Sequence, residues 1–288
     1  MTRRPPPPLG VLLDRAAARV QPGDPGQARA PCEWLAAHIL GCPRLELPLR
    51  RMERLAPGPA RRLRAGAARL AAGEPLAYVL GSADFYGRPF FCDRRALIPR
   101  PETEQLLDLL LKDRSLWRRP RPRIAEVGVG SGCLVVTAAI ERPAGRYIGT
   151  DLSPGALALA RRNAARHRMA SRIRLVRRDL LAGIRPSSLA AVVSNLPYIP
   201  TAEWRRLERG VKDFEPRAAL DGGADGLSLI RRLLPQAHRA LEPGGRLFLE
   251  IGDRHGPAAR ALAAAAGFRD AETRPDLAGR TRFLLAGR

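Results

Sequence analysis

The sequence predicts an α/β protein: a doubly wound, mostly parallel sheet preceded by a small helical domain and a linking β-hairpin. Three observations carry this reading. Beyond residue 120, short apolar runs of strand type alternate with helix-type segments, the pattern of a sheet covered on both faces. A glycine-rich run, Gly128-Val129-Gly130-Ser131-Gly132, sits where the first of those strands gives way to a helix. Before residue 75, apolar side chains recur at helical rather than strand spacing.

Taken in order, Met1-Thr2-Arg3-Arg4 and Pro5 to Pro8 read as the start of a disordered tail over residues 1–10. In 11–75, Leu12, Leu13, Ala16 and Ala17 share one helix face, as do Trp34, Leu35, His38 and Ile39. Breaks at Pro22-Gly23, Gly41-Cys42-Pro43, Pro57-Gly58-Pro59 and Gly73 divide this stretch into a bundle of about four helices. It carries no catalytic constellation, so its expected role is to dock a macromolecule. Residues 76–100 read as a linker in which Phe85-Tyr86 and Phe90-Phe91 flank Gly87 as the two arms of a hairpin. The domain expected over 101–288 opens with a helix at Pro101, with Glu102 and Glu104 at its positive end. Strands are then expected at 123–127, 147–150, 173–176, 190–193, 246–251 and 281–285, and helices at 134–140, 156–165, 227–241 and 258–266.

The 288 residues suffice for one α/β domain and a smaller one, and 45% apolar content fits a substantial core. No apolar run approaches the roughly 20 residues of a membrane span, and no signal-peptide pattern opens the chain, so a cytoplasmic protein is expected. Cys32, Cys42, Cys92 and Cys133 show neither paired spacing nor a neighbouring histidine cluster, which argues against a disulfide framework or a metal site. The net charge is +22, yet of 50 basic residues only Lys112 and Lys212 are lysines. That arginine excess runs along the whole chain. It favours weak association with ribosomes or RNA without specifying a nucleic-acid substrate.

Glycines at a strand-to-helix turn let the backbone approach a ligand that a Cβ would exclude. The sixth position of a dinucleotide fingerprint is Cys133, so the spacing does not fit NAD. Asp151 ends the next strand, where its carboxylate can accept from both hydroxyls of a ribose. With Glu126 ahead of the glycines, this set resembles the S-adenosylmethionine site of class I methyltransferases. The turn Glu242-Pro243-Gly244-Gly245 before a late strand fits the same class.

Ala191-Val192-Val193-Ser194 runs out of a strand into Asn195-Leu196-Pro197-Tyr198 at the sheet's carboxyl end, where such sheets bind ligands. An amide nitrogen is a poor nucleophile because its lone pair is delocalised. Two acceptors, the Asn195 side-chain oxygen and the Leu196 carbonyl, can take its two N–H groups and aim it at a methyl donor. Pro197 restricts the loop, and Tyr198 can pack on a planar substrate.

At this point a resemblance becomes specific. The chain resembles the protein-(glutamine-N5) methyltransferases that modify peptide chain release factors, the PrmC/HemK family. The residues that carry it are Gly73-Glu74-Pro75-Leu76-Ala77-Tyr78-Val79-Leu80-Gly81, Asp84-Phe85-Tyr86-Gly87 and Leu97-Ile98-Pro99-Arg100-Pro101-Glu102-Thr103-Glu104. Later come Glu215-Pro216, Leu220, Gly222-Gly223, Asp225-Gly226 and Glu250-Ile251-Gly252. The resemblance implies a helical domain that helps grip a release factor; a monomer is expected. The catalytic domain would methylate the glutamine of the Gly-Gly-Gln loop. It implies that Gly128 to Gly132, Asp151, Leu180 and Asn195 bind S-adenosylmethionine, and that Asn195 to Tyr198 hold the glutamine. Leu196 stands where the family has proline, and Leu180 where it often has an aromatic residue. Asn-Leu-Pro-Tyr also resembles the motif of rRNA adenine dimethyltransferases. A nucleic-acid N6-adenine methyltransferase, a ribosomal-protein glutamine methyltransferase and a non-catalytic adaptor are therefore the alternatives.

Overall fold

A computed structural model describes residues 7–21 and 25–288. The chain divides into two compact units, the first running to Ser82 with the addition of Arg209–Phe214, the second comprising Ala83–Glu208 and Glu215–Arg288. The division falls inside the stretch read as a linker because the hairpin's aromatic residues are core residues of the second unit.

The first unit contains α1 (Leu9–Val20), α2 (Pro25–Leu40), α3 (Pro57–Ala71) and the short α4 (Leu76–Leu80). Helix α1 starts inside the 1–10 segment expected to be tail: Leu9 is fully buried, and it makes a core with Leu12, Leu13, Cys32, Leu35, Leu63 and Leu70. The rest of that tail through residue 6, and the break at Pro22-Gly23, lie outside the described residues. Pro57-Gly58-Pro59 is the first turn of α3, where proline costs no hydrogen bond. Gly66 marks the closest approach of α2 and α3, since a Cβ there would lie 2.5 Å from Leu35 Cδ2. Arg69 ties α3 to α4, donating to both Glu74 carboxylate oxygens (2.7 and 2.8 Å) and to the Tyr78 carbonyl (2.9 Å).

From Ala83 the second unit contains the hairpin, β1 (Ser82–Phe85, its first residue counted with the first unit) and β2 (Arg88–Phe91), followed by α5 (Pro101–Lys112) and α6 (Arg114–Trp117). Then come β3 (Arg123–Val127), α7 (Cys133–Glu141), β4 (Arg146–Asp151), α8 (Pro154–Arg166), β5 (Ile173–Arg177) and β6 (Leu189–Asn195). After two single helical turns, α9 (Thr201–Trp204) and α10 (Arg209–Lys212, counted with the first unit), the chain forms α11 (Ser228–Ala240), β7 (Leu241–Glu250), α12 (Gly256–Ala265), β8 (Arg269–Pro275) and β9 (Thr281–Gly287).

The sheet order is β5-β4-β3-β6-β7-β9-β8, with β3 to β7 parallel and β8 and β9 antiparallel. Successive residues face opposite sides, so each strand feeds two cores. Ile124, Ala191, Val193 and Phe248 pack with α5, α7 and α8 residues such as Leu106, Leu134 and Leu157. Ala125, Val192, Leu247 and Leu249 pack with Ile230, Leu233 and Leu234 of α11 and Ala259 of α12. From β3 the chain winds outward through β4 and β5, then returns to β6 on the other side. This reversal opens a crevice at the carboxyl ends of β3 and β6.

The hairpin belongs to the first of these cores, with Phe85 and Phe90 fully buried. Buried Asn163 of α8 ties it to the glycine loop: its side chain accepts from the Phe91 N–H (2.7 Å) and donates to the carbonyls of Phe91 (3.0 Å) and Ser131 (2.8 Å). Among the described residues no helix is long and apolar enough to cross a membrane. The four cysteines are free, and Cys32, Cys92 and Cys133 are buried.

Candidate active site

Strands β3, β4 and β6 leave the sheet level with one another, because Val127 is in register with Thr150 on one side and Ser194 on the other. The residues that follow are Gly128, Asp151 and Asn195. Sheet geometry alone thus brings three distant stretches of sequence to one place. A cavity of about 260 Å³ opens there, lined by Gly128, Val129, Gly130, Ser131, Asp151, Leu180, Asn195, Leu196 and Pro197.

Gly132 and Tyr198 are not among the lining residues. Gly132 sits where α7 begins, with φ +80° and a Cβ position 3.0 Å from Ala160 Cβ on α8. Its glycine serves close packing of the two helices. The Tyr198 hydroxyl reaches inward to a buried carboxylate rather than into the cavity.

Gly128 and Gly130 both have positive φ (+73° and +52°) and bare the loop backbone toward the cavity. The Gly128 and Val129 N–H groups donate to the Thr150 carbonyl (2.8 and 3.0 Å), pinning the loop to β4. The Asp151 carboxylate accepts from the Gly130 N–H (3.0 Å) through one oxygen and from the Ser153 N–H (2.8 Å) through the other. Each oxygen keeps a lone pair for a further donor. Buried Glu126 accepts from the Val135 N–H (2.9 Å) in the first turn of α7, and burial holds its carboxyl well above the usual range.

At the other end of the cavity, Leu180 is buried with φ +52°, a left-handed backbone that leucine adopts at a cost. Beside it, Asp179 pairs through Oδ2 with Arg232 (2.5 Å), while its buried Oδ1 has no hydrogen-bond partner among the described residues. These features fit S-adenosylmethionine. The glycine loop bares backbone to the cavity, the Asp151 carboxylate keeps lone pairs that ribose hydroxyls could use, and the Asp179 acceptor beside apolar Leu180 could take an exocyclic amine.

Asn195 Nδ2 donates to Thr103 Oγ1 (2.9 Å), and the Thr103 hydroxyl donates to Glu250 Oε2 (2.8 Å). Tyr198 donates to Glu250 Oε1 (3.2 Å), with Arg282 Nη1 3.5 Å from the same phenol oxygen. Glu250 is only 2% exposed, and burial pushes its carboxyl up to about 7. Burial likewise pushes the Tyr198 phenol above its ordinary value, with the neighbouring Glu250 charge adding to it.

The backbone of the tetrad is backed by glycine. A Cβ on Gly222 would lie 2.7 Å from the Pro197 carbonyl and 2.8 Å from Tyr198 Cα. Hydrogen bonds from Ile199 N–H to the Leu220 carbonyl (3.0 Å) and from Gly222 N–H to the Ile199 carbonyl (2.8 Å) hold the two segments side by side. The Leu196 side chain turns away into the core, 3.2 Å from the Cβ position of Gly128. Leucine in place of proline therefore fills space beneath the cofactor loop and leaves the Leu196 carbonyl available.

Sequence reading assigned no role to Thr103, Asp179, Glu215 or Glu250. Buried Glu215 accepts from the Ile98 N–H (3.1 Å) and pairs with Arg100, fixing the Leu97–Arg100 wall of the cavity. Thr103, Glu215 and Glu250 lay within the stretches that carried the family resemblance, the one signal that could have found them.

A doubly wound sheet with this cavity at its switch point defines a class I methyltransferase. The family model described as a methyltransferase domain matches residues 124–214, and the PrmC N-terminal domain matches residues 12–81. A release factor glutamine methyltransferase of Moorella thermoacetica is 40% identical over 97% of this chain and 98% of its own. One from Deinococcus radiodurans is likewise 40% identical over the same shares. A solved methyltransferase structure from Pyrococcus furiosus shares the fold, with a TM-score of 0.53 at 18% identity over 76% of this chain and 96% of that one. The chain belongs to the release factor glutamine methyltransferase family.

Proposed function

We propose that this protein methylates the side-chain amide nitrogen, N5, of the glutamine in the Gly-Gly-Gln loop of peptide chain release factors. The observation that carries the reading is Asn195. Its amide nitrogen is engaged by Thr103, so its oxygen is the group left to accept from a substrate amide at the edge of the cofactor cavity. Whole-length similarity to proteins named for release factor glutamine methylation supports the same reading.

When bound, S-adenosylmethionine supplies an electrophilic methyl group. Gly128 to Ser131 and Asp151 would hold its ribose and tail, with Glu126 at that end of the cavity, and Leu180 and Asp179 would take the adenine. Asn195 Oδ1 and the Leu196 carbonyl accept the two amide N–H groups of the glutamine. This would orient the nitrogen lone pair toward the methyl and steady the positive charge that grows on nitrogen as the bond to sulfur breaks, the surplus N–H proton then leaving to solvent. Pro197, with Gly222 behind it, holds the loop still. Tyr198 buttresses the loop through its hydroxyl on Glu250.

The helical unit supplies a docking surface. Leu45, Leu49 and Met52 lie within one run of tight turns and are 84%, 88% and 82% exposed, whereas Leu47 between them is buried. Such exposure of large apolar side chains favours a protein partner. The protein acts as a cytoplasmic monomer. A groove of about 910 Å³ at the amino ends of β3 to β6 is lined by Arg121, Arg123, Arg146, Arg172, Arg174 and Arg185, with no carboxylate among its lining residues. It would carry a weak, salt-sensitive association with RNA. Arg146→Glu with Arg174→Glu should flatten the salt dependence of RNA retention and leave methyl transfer unchanged.

The deciding experiment offers labelled S-adenosylmethionine with purified release factor, ribosomal proteins and rRNA, then digests and locates the label. It should appear on the Gly-Gly-Gln peptide. Label confined to RNA or to a ribosomal protein refutes the assignment. In the same assay Leu49→Asp should raise KM for intact release factor about tenfold, the scale of one interface contact, with kcat little changed.

A further inference from the structure

A hydroxyl carries one proton, and that count decides which way the Asn195 amide points. Thr103 Oγ1 lies 2.9 Å from Asn195 Nδ2 and 2.8 Å from Glu250 Oε2, and both Thr103 and Glu250 are buried (6% and 2% exposed). Sheet register sets Asn195 beside Glu250, as paired residues at the ends of β6 and β7, and α5 brings Thr103 against both. If Glu250 is a carboxylate it can only accept, so the Thr103 proton goes to it. Thr103 then has only lone pairs to offer Asn195, which must turn its NH₂ inward and its oxygen outward.

We propose that Thr103 and Glu250 form a positioning relay that sets the polarity of the Asn195 amide, so that ionised Glu250 holds Asn195 Oδ1 ready for the substrate NH₂. This rests on the role of Asn195 proposed above. Protonated Glu250 reverses the chain. The carboxyl donates to Thr103 and the Thr103 proton swings to Asn195. The amide then turns its oxygen inward, and NH₂ meets NH₂ at the substrate. The charged and titratable groups facing Glu250 are Glu102 from α5, Tyr198 from the loop after β6 and Arg282 from β9. Burial and Glu102 disfavour the ionised form, while Arg282 and the hydrogen bonds from Thr103 and Tyr198 favour it, leaving the carboxyl at about 7. The switch therefore lies in the working pH range. Methyl transfer should rise with pH through this ionisation, since the competent form is the deprotonated one.

The test uses the full-length protein and the variants Thr103→Val, which keeps the shape and removes the hydroxyl, and Thr103→Ser, which restores it. Between about pH 5.5 and 9, wild-type kcat on release factor should show an acidic limb. Thr103→Val should lower kcat on the order of 10²-fold, as for one misplaced transition-state hydrogen bond, and flatten that limb. Thr103→Ser should recover kcat to within about threefold of wild type and regain the limb. An independent readout is the side-chain NH₂ signal of Asn195 in the ¹⁵N-labelled protein without cofactor or substrate, assigned by its loss in Asn195→Ser. It should shift with the Glu250 titration in wild type and in Thr103→Ser, and lose that dependence in Thr103→Val. An Asn195 signal indifferent to pH in the wild type overturns the relay, as does Thr103→Val with wild-type kcat. Lost kcat with an unaltered NH₂ titration in Thr103→Val makes Thr103 merely structural and also overturns it. A pH-coupled NH₂ signal in a protein that does not methylate release factor upholds the relay and refutes the proposed function.

Discussion

Asn195→Ala is expected to lower kcat on release factor by about 10²- to 10³-fold, the cost of removing one preorganised transition-state acceptor. Affinity for S-adenosylmethionine should stay within about threefold, because the cavity has many other contributors and no single neutral contact dominates. The fold should survive. The alanine leaves Thr103 Oγ1 without its donor while the Thr103–Glu250 bond remains, a loss of about 1 kcal/mol. Single-turnover transfer, cofactor titration and thermal unfolding of the same preparation separate these effects. An alanine variant that keeps kcat within about tenfold of the parent would sink the assigned role. Asn195→Asp sharpens the result. It keeps an acceptor but cannot donate to Thr103, and it brings a second carboxylate close to Glu250, so it should fail nearly as badly as alanine.

The legible parts of the fold were those whose burial writes itself into a short run of sequence. The expected strand at 123–127 coincides with β3, Arg123–Val127, because the apolar Ile124, Ala125 and Val127 of a strand buried on both faces run directly into a glycine turn. Strand β8 was missed. Arg269–Pro275 is polar, mostly exposed and ends in proline, since an edge strand paired only with β9 has no buried face to declare. Strand β7 starts at Leu241 rather than at 246, running through Pro243-Gly244-Gly245 with an irregular register against β6. That turn-like composition hides the strand.

The same division holds in the site. That Gly128 to Gly130, Asp151 and Asn195 to Pro197 line one cavity follows from sequence because each stretch lies where a strand ends. The Thr103–Glu250 contact joins residues 147 apart in sequence and exists only through the packing of α5 against β7. The open Oδ1 of Asp179 has its meaning only beside Leu180 and the cavity. Leu196 was the reverse case. It stood out as a departure from the family motif, and its side chain proves to pack into the core, where an apolar residue of either shape can serve.

Gly222→Ala should rank beside Asn195→Ala in its effect on turnover although Gly222 is not among the residues lining the cofactor cavity. Its backbone is not in the left-handed region, so the substitution adds no conformational strain and tests space alone. The new methyl would meet three backbone atoms: the Gly226 carbonyl oxygen and the Pro197 carbonyl oxygen at 2.7 Å, and Tyr198 Cα at 2.8 Å. Backbone cannot swing aside as a flexible side chain does, so Pro197 and Tyr198 must shift. A displacement approaching 1 Å in residues that orient a reacting group costs on the order of 10²-fold in rate. Overpacking of this kind costs about 1–3 kcal/mol of stability, enough to lower the midpoint of thermal unfolding without preventing folding. Gly87→Ala provides the contrast. With φ +71° and nothing near its Cβ position, it should lose about 1–2 kcal/mol from backbone strain and keep wild-type kcat. Equal kcat values in the two variants would mean that the glycine backing does not position the tetrad. A selective loss in Gly222→Ala, with cofactor affinity retained, would place catalytic precision in the backbone contact between the 220–226 segment and the residues that present the amide.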